Sequence, residues 1–224
     1  MGGVSRPAVI VFDLDGTLVD SAPDIHRAAV AMLEGLGRAP VSLEQTVSFV
    51  GNGVGKLVER CLGATGGVPA DGTGPALAAF RLAYDRAPAA LTRPYPGVET
   101  ALGTLAAAGH PLAVCTNKPE APAREILAAL GLAPRFRAVI GGDTTGVLKP
   151  DPAPLLAAIR AAGQGPALFV GDSETDAATA EAAAVPFALF TRGYRKSPVA
   201  AIRADAAFDD FARLPGLLAE IRAA

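Results

Sequence analysis

Short apolar runs recur along the chain, and each of them ends at polar residues. The runs are "AVIVFDLD" from Ala8, "PLAVCTN" from Pro111, "AVIGGD" from Ala138, "ALFVGD" from Ala167 and "PFALFT" from Pro186. A continuous run of four or five apolar residues is typical of a strand that is buried on both faces. Segments of helical period, rich in Ala and Leu, separate the runs at 98–108, 121–130, 152–162 and 174–184. This alternation predicts an α/β fold with a parallel sheet that is covered by helices on both faces.

The segment from 18 to 92 has a different pattern, with successive helical stretches and no comparable apolar run. Ser21 is placed to cap the first helix, and "SLEQ" (Ser42–Gln45) has the form of a capping box before the second. Further helices are predicted at 53–62 and 76–91. An insert directly after the first strand is expected to lie over the strand ends as a lid. The predicted boundaries are 1–17 and 93–224 for the sheet domain and 18–92 for the helical domain.

Composition and charge narrow the classes of function. With 224 residues, 50% of them apolar, the chain can form one ordinary domain or a core with a small second lobe. A formal net charge of −2 gives no electrostatic reason to expect nucleic acid or an anionic membrane as a partner. Cys61 and Cys115 are too few for a disulfide framework, and no window approaches the ~20 apolar residues of a membrane span. The first apolar run is too short for a signal peptide. We therefore expect a cytoplasmic monomer or homodimer that acts on a small molecule.

Polar residues follow several of the predicted strands, and the carboxyl ends of parallel strands meet at one edge of a sheet. In "DLDGT", Asp13 is placed to attack phosphorus, and Asp15 can protonate the leaving oxygen and later accept a proton from water. Gly16 allows a sharp turn, and Thr17 supplies a nearby hydroxyl that could contact substrate. Clustered carboxylates suit magnesium, which prefers oxygen ligands. The alternative is an ordinary β–α turn in which the Asp residues act as caps.

A third acidic site follows another strand. In "GDSETD", Asp172 could complete the metal site. Asp176 lies one helical turn further on, where it could support that site. Alternatively, Asp172 and Ser173 only cap a helix. In "CTNK", Thr116 and Asn117 could donate to phosphate oxygens, although a capped turn would use the same residue types.

Lys149, in "LKPDP", is a candidate cation for the transferred phosphoryl group. A Lys before Pro is commonly a solvated loop residue. However, only four of the 20 basic residues are Lys, and Lys118 and Lys149 both lie beside candidate site loops. A compact ammonium fits a tight phosphate site better than a broad guanidinium does. The pattern favours a role for Lys149 at the site.

Other motifs do not complete a known site. "VGNGVGK" (Val50–Lys56) lacks the third Gly of a dinucleotide fingerprint, and it lacks the first Gly and the final Ser or Thr of a P-loop. His26 and His110 lie in helical or turn contexts, which indicates surface positions. Cys115 is expected to pack within its strand.

Together and in this order, "DLDGT", Thr116 in "CTNK", Lys149 in "LKPDP" and "GDSETD" resemble the signatures of the haloacid dehalogenase superfamily, over essentially the whole chain. The resemblance implies a Rossmann-like core with Asp13 as nucleophile and Asp15 as acid and base. It implies that Thr116 and Lys149 stabilise the phosphoryl group. It also implies a magnesium ion held by Asp13, the Asp15 backbone carbonyl and Asp172, and a helical cap formed by the insert.

In a capped enzyme of this type, the cap must recognise the non-reacting end of the substrate. The loop "GNGVGK" is the candidate, because Gly51, Asn52 and Gly53 leave backbone N–H groups accessible at the start of a helix. Lys56 could add a charged contact to an anionic group, and Arg60 is a second candidate. Alternatively, the glycines only shape a turn between helices.

The natural substrate stays open. A sugar phosphate, an amino-sugar phosphate and pyrophosphate are alternative substrates for the same phosphatase reaction. Cleavage of a carbon–halogen or carbon–phosphorus bond is disfavoured, because a dehalogenase needs neither the second Asp of "DLDGT" nor magnesium. A phospho-acceptor regulator is disfavoured by the insert, which such a module lacks.

Overall fold

A six-stranded parallel sheet carries the candidate residues. The computed structural model describes residues 8–163 and 165–221. The strands are β1 (Val9–Phe12), β2 (Val19–Asp20), β3 (Arg93–Pro94), β4 (Leu112–Cys115), β5 (Ala138–Ile140), β6 (Ala167–Gly171), β7 (Phe187–Phe190) and β8 (Ala206–Phe208). The main sheet has the order β5-β4-β1-β6-β7-β8, and β2 and β3 form a separate antiparallel pair. All neighbours in the main sheet are parallel, so the α/β prediction is confirmed.

Helices cover both faces of this sheet. In chain order they are α1 (Ala22–Gly35), α2 (Leu43–Phe49), α3 (Val54–Ala64), α4 (Gly74–Asp85), α5 (Val98–Ala107), α6 (Glu120–Ala129), α7 (Ala153–Ala162), α8 (Glu174–Ala183) and α9 (Leu214–Ile221). Alternate residues of β1 point to opposite faces, so Ile10 and Phe12 pack with α5, α6 and α9. Val9 and Val11 pack with α7 and α8 on the other face. This two-sided burial explains why the strand has a continuous apolar run.

Helices α1 to α4 have a hydrophobic core of their own. Met32 on α1, Leu62 on α3 and Phe80 on α4 are among its buried members. The chain enters this helical unit after β2 and leaves it before β3, so the paired strands lie close to the boundaries predicted at 18 and 92. Those boundaries stay a prediction.

Some local expectations are corrected. Ser21 precedes α1 but makes no capping hydrogen bond, because its hydroxyl donates to Asp15 instead. Helix α4 ends at Asp85, whereas the sequence predicted a helix as far as Leu91. The short strands β2, β3 and β8 were not predicted. The capping box of Ser42 and Gln45 is confirmed. In the described part of the chain, no helix is long and apolar enough to cross a bilayer.

Candidate active site

The loops after β1, β4, β5 and β6 converge at one edge of the sheet, at a cavity of about 390 Å³. Helices α1, α3 and α4 cover the cavity from the other side. The predicted residues that line it are Asp13, Asp15, Gly51, Asn52, Gly53, Thr116, Asn117, Lys149 and Asp172. Strand β1 lies between β4 and β6, where the strand order reverses direction, and ligands of such sheets bind at that point.

Lys149 joins two carboxylates at the base of the cavity. Its Nζ lies 2.8 Å from Asp13 Oδ1 and 2.6 Å from Asp176 Oδ1, and its side chain is 2% exposed. Burial alone would lower the pKa of Lys149, but the charges of Asp13 and Asp176 raise it. The ammonium is therefore charged, and the solvated-loop alternative for Lys149 does not apply.

Asp172 is held by groups from two other loops. Its Oδ1 accepts from Thr17 Oγ1 at 2.8 Å, and its Oδ2 accepts from the backbone N–H of Tyr194. Gly16 leaves the space for this contact: its φ is +90°, and an added Cβ would lie 2.5 Å from Asp172 Oδ2. Thr17 is fully buried, so its hydroxyl supports Asp172 and does not face the cavity.

Asp176 is buried behind the cavity and makes structural contacts. One of its oxygens contacts Lys149, and the other accepts from the backbone N–H and hydroxyl of Ser173 in a capping box at the start of α8. Ser173 is therefore the cap of α8, and Asp172 is not. The supporting role of Asp176 at the site stays a prediction.

The carboxylate cluster has the character of a metal site. Oxygen atoms of Asp13, Asp172 and Asp176 lie within 4.8 Å of one another, and all three residues are buried. Burial, with the charge of Asp176 reinforcing it and Lys149 opposing it, raises the pKa of Asp13 to about 7. Burial and the charges of Asp176 and Asp13 also raise the pKa of Asp172 well above its usual range. One ammonium does not balance this cluster, and an oxygen-only donor set fits a hard divalent cation.

Asp15 also lines the cavity, and two side chains hold it. It accepts from the Ser21 hydroxyl, and Lys118 Nζ lies 3.0 Å from its Oδ1 and 3.2 Å from its Oδ2. Lys118 is also 4.9 Å from the centre of the Tyr84 ring on α4. Each carboxylate of "DLDGT" is thus paired with a different lysine.

Asn117 connects three segments of the site. Its Nδ2 donates to the backbone carbonyls of Gly51 and Lys149 at 3.0 and 3.1 Å, and its Oδ1 accepts from Lys149 N at 2.8 Å. Both amide hydrogens are used in this way. Thr116, beside it, lines the cavity, and its Oγ1 accepts from Lys118 N at 3.2 Å. Its hydroxyl proton can be donated to a ligand.

The cap loop reaches the cavity, but its lysine does not. Gly51, Asn52 and Gly53 line the cavity, and Asn52 Oδ1 accepts from Arg60 Nη2 at 2.8 Å. Lys56 has a side chain that is 52% exposed, and it pairs with Glu59 at 2.8 Å on the surface of α3. The structure therefore places Lys56 outside the cavity.

A family model described as haloacid dehalogenase-like hydrolase matches residues 7–184. This chain belongs to the haloacid dehalogenase-like hydrolases. A phosphoglycolate phosphatase of Cereibacter sphaeroides is 47% identical over 215 residues, which is 96% of this chain and 99% of that protein. A phosphoglycolate phosphatase of Rhodospirillum rubrum is 46% identical and covers 93% of this chain and 89% of its own length.

A solved structure agrees with this membership. The crystal structure of a predicted phosphoglycolate phosphatase from Haemophilus somnus 129PT superposes with a TM-score of 0.90 at 32% identity. The alignment covers 96% of this chain and 100% of that one. This hydrolase therefore shares its fold with that protein over 96% of its length.

Lys118, Tyr84 and Tyr194 are among the residues at the site of this hydrolase that were not predicted. Lys118 was noted only as a lysine beside the β4 loop, although it forms the ion pair with Asp15. Tyr84 lies on a helix of the insert, and Tyr194 follows β7; both line the cavity. The scarcity of lysine was a signal for Lys118, but no sequence motif indicated either tyrosine.

Proposed function

We propose that this hydrolase is a magnesium-dependent phosphatase that converts 2-phosphoglycolate to glycolate and inorganic phosphate. The observation that supports the reaction is the pair of carboxylates on one turn, Asp13 beside Lys149 and Asp15 beside Lys118. The observation that supports the substrate is the name shared by relatives that are 46–47% identical over nearly their whole length.

In the first step, a carboxylate oxygen of Asp13 attacks phosphorus, and the bond from phosphorus to the ester oxygen breaks. Lys149 Nζ, which lies 2.8 Å from Asp13 Oδ1, can donate to the phosphoryl oxygens as it holds Asp13 in place. The Thr116 hydroxyl and the backbone N–H groups of the β1 and β4 loops can donate to the same oxygens. Asp15 gives its proton to the departing oxygen, which leaves as the hydroxyl of glycolate.

In the second step, Asp15 takes a proton from a water molecule as the water oxygen attacks phosphorus. The bond between the Asp13 oxygen and phosphorus breaks, which restores Asp13 and releases inorganic phosphate. Asp15 ends with the proton that the next cycle requires.

The metal site is proposed at Asp13, the backbone carbonyl of Asp15 and Asp172. Magnesium bound there would supply positive charge to the phosphoryl oxygens and to the clustered carboxylates. Thr17 and the backbone N–H of Tyr194 orient Asp172 for this role. Asp176 holds Lys149 and stays outside the metal shell in this proposal.

A substrate panel tests the proposal. We expect kcat/KM for 2-phosphoglycolate to exceed the values for sugar phosphates, amino-sugar phosphates and pyrophosphate, with activity lost on chelation and restored by magnesium. A higher kcat/KM for another small phosphate would contradict the substrate assignment but would agree with the proposed phosphatase activity. No magnesium-dependent phosphate release from any member of the panel would contradict both.

A further inference from the structure

Lys118 is fixed beside the proposed acid of the reaction. Its Nζ contacts both oxygens of Asp15, at 3.0 and 3.2 Å, and its side chain is only 8% exposed. The backbone is held as well, because Lys118 N donates to Thr116 Oγ1 and Lys118 O accepts from Gly142 N at 2.8 Å. An ammonium has three protons to donate, so the contact with Asp15 leaves donor capacity for a ligand.

Tyr84 places a hydroxyl and an aromatic face beside the same ammonium. Its ring centre is 4.9 Å from Lys118 Nζ, and the ring stacks on Phe80 with 5.9 Å between centres. The residue is 5% exposed, and its hydroxyl is buried with no hydrogen-bond partner among the described residues. Buried hydroxyls are nearly always paired, so this one indicates a partner that the chain itself does not provide.

The other cationic side chains that line the cavity are either paired with carboxylates or exposed to solvent. Lys149 is used by Asp13 and Asp176. Arg81 and Lys196 line the cavity, but both are exposed. Among the described residues that line the cavity, Lys118 is therefore the cation with a nearly buried side chain that is not paired with Asp13 or Asp176.

The chemistry of 2-phosphoglycolate matches this position. One methylene separates its ester oxygen from its carboxylate, so a group that touches the acid at the ester oxygen can also reach the carboxylate. We propose that Lys118 and the Tyr84 hydroxyl bind the carboxylate of the substrate and so select 2-phosphoglycolate among small phosphates. This inference rests on the proposed function and adds the residues that bind the non-reacting end of the substrate. Tyr84 belongs to the helical insert, so the carboxylate is bound between the insert and the sheet domain.

The test compares two substrates that differ only in this group. Ethyl phosphate has a methyl group where 2-phosphoglycolate has its carboxylate. We define the selectivity as the ratio of kcat/KM for 2-phosphoglycolate to that for ethyl phosphate. Tyr84→Phe keeps the ring and removes only the unpaired hydroxyl, so we expect it to fold and to lower the selectivity about 10-fold. Lys118→Met should lower the selectivity about 100-fold.

Lys56→Met is the matched control, because it removes an exposed lysine outside the cavity. We expect it to leave the selectivity within about 2-fold of the parent. A selective loss in Lys56→Met, with none in Tyr84→Phe and Lys118→Met, would overturn the inference and assign the carboxylate to the cap loop.

A binding measurement separates recognition from proton transfer, since Lys118 also contacts Asp15. The probe is 3-phosphonopropionate, in which a methylene replaces the ester oxygen, and propylphosphonate is its counterpart without the carboxylate. Lys118→Met and Tyr84→Phe should weaken inhibition by the first compound and leave inhibition by the second unchanged. Equal weakening of both would overturn the inference and limit Lys118 to holding Asp15. A parent enzyme with no preference for 2-phosphoglycolate over ethyl phosphate would instead contradict the proposed function, and this inference with it.

Discussion

At the scale of single residues, the ammonium of Lys149 occupies a narrow space. It lies 2.8 Å from one carboxylate and 2.6 Å from another, and its side chain is 2% exposed. A guanidinium is planar and broader, so it cannot keep both contacts without displacing Asp13 or Asp176. The identity of this cation therefore matters as much as its charge.

We predict that Lys149→Arg lowers kcat/KM by about 100-fold or more, although the positive charge is kept. Lys56→Arg, at an exposed site, is the matched control and should retain the parent value. Steady-state kinetics and a thermal melt of each variant provide the comparison. Retention of activity within a few-fold in Lys149→Arg would show that charge alone suffices.

Residues that follow a visible strand could be predicted, and residues brought in by the insert could not. Asp13 and Asp172 each end an apolar run, so the sheet geometry alone places them together. Tyr84 lies on α4, and the sequence does not say which helix face meets the β4 loop. Ser21 had the right position for a cap, but its hydroxyl donates to Asp15, because this partly buried carboxylate competes successfully for a nearby donor.

At the scale of elements, Asp24 ties the start of α1 to the segment before β3. It accepts from the backbone N–H groups of Leu91 and Thr92 at 2.9 and 2.8 Å, and from the Thr92 hydroxyl at 2.8 Å. Burial opposes ionisation, but these hydrogen bonds and the contact with Arg27 outweigh it and lower the pKa of Asp24. The carboxylate thus fastens the two chain crossings between the insert and the sheet domain.

We predict that Asp24→Asn lowers the free energy of unfolding by about 2–3 kcal/mol at neutral pH. Because the folded pKa is lowered, this stabilisation is present above the unfolded value of about 3.9 and is lost as the pH falls through the folded value. Urea unfolding at a series of pH values measures it, with exposed Asp209→Asn as the control. The difference between Asp24→Asn and the parent should shrink in acid; a constant difference would show that the ionised carboxylate is not its source.

Elements with a clear period were predicted closely, and the shortest ones were not. Helices α5 and α7 agree with their predicted ranges to within a residue. Strands β2 and β3 have two residues each, which is too short for any alternation to be recognised. They form because the chain crosses twice between the two units at the same place, and the two crossings pair.

At the scale of the whole molecule, separate loops deliver carboxylates that repel one another. The buried carboxylates of Asp13, Asp172 and Asp176 lie within 4.8 Å of one another beside one ammonium, and burial raises the pKa of Asp13 and of Asp172. A bound cation should therefore stabilise the folded state as well as support catalysis.

We predict that magnesium at about 100 times its dissociation constant raises the melting temperature by about 5–10 °C over the chelated protein. Asp172→Ala should largely abolish this rise, whereas the exposed change Asp209→Asn should keep it. Sodium chloride at equal ionic strength controls for screening. Equal melting temperatures with magnesium and with chelator would contradict the proposed metal site.

The general architecture was predictable because strands that are buried on both faces of a sheet appear in the sequence as continuous apolar runs. The position of the insert above the cavity was expected from its place after the first strand. The contacts that hold it there, such as that between Asn117 and the Gly51 carbonyl, depend on how two separate surfaces meet. No local pattern encodes such a contact, so the residues that the insert brings to the cavity were harder to predict than those at the strand ends.

The most direct test of the account is to trap the phosphorylated enzyme. The parent is mixed with 2-phosphoglycolate and magnesium, quenched in acid within one turnover and treated with borohydride, which reduces an aspartyl-phosphate to homoserine. Peptide mass spectrometry should find homoserine at position 13 and at no other aspartate, and Asp13→Asn should be inactive and give none. Turnover of 2-phosphoglycolate by the parent with position 13 unmodified, or with homoserine at Asp15 or Asp172, would contradict the account.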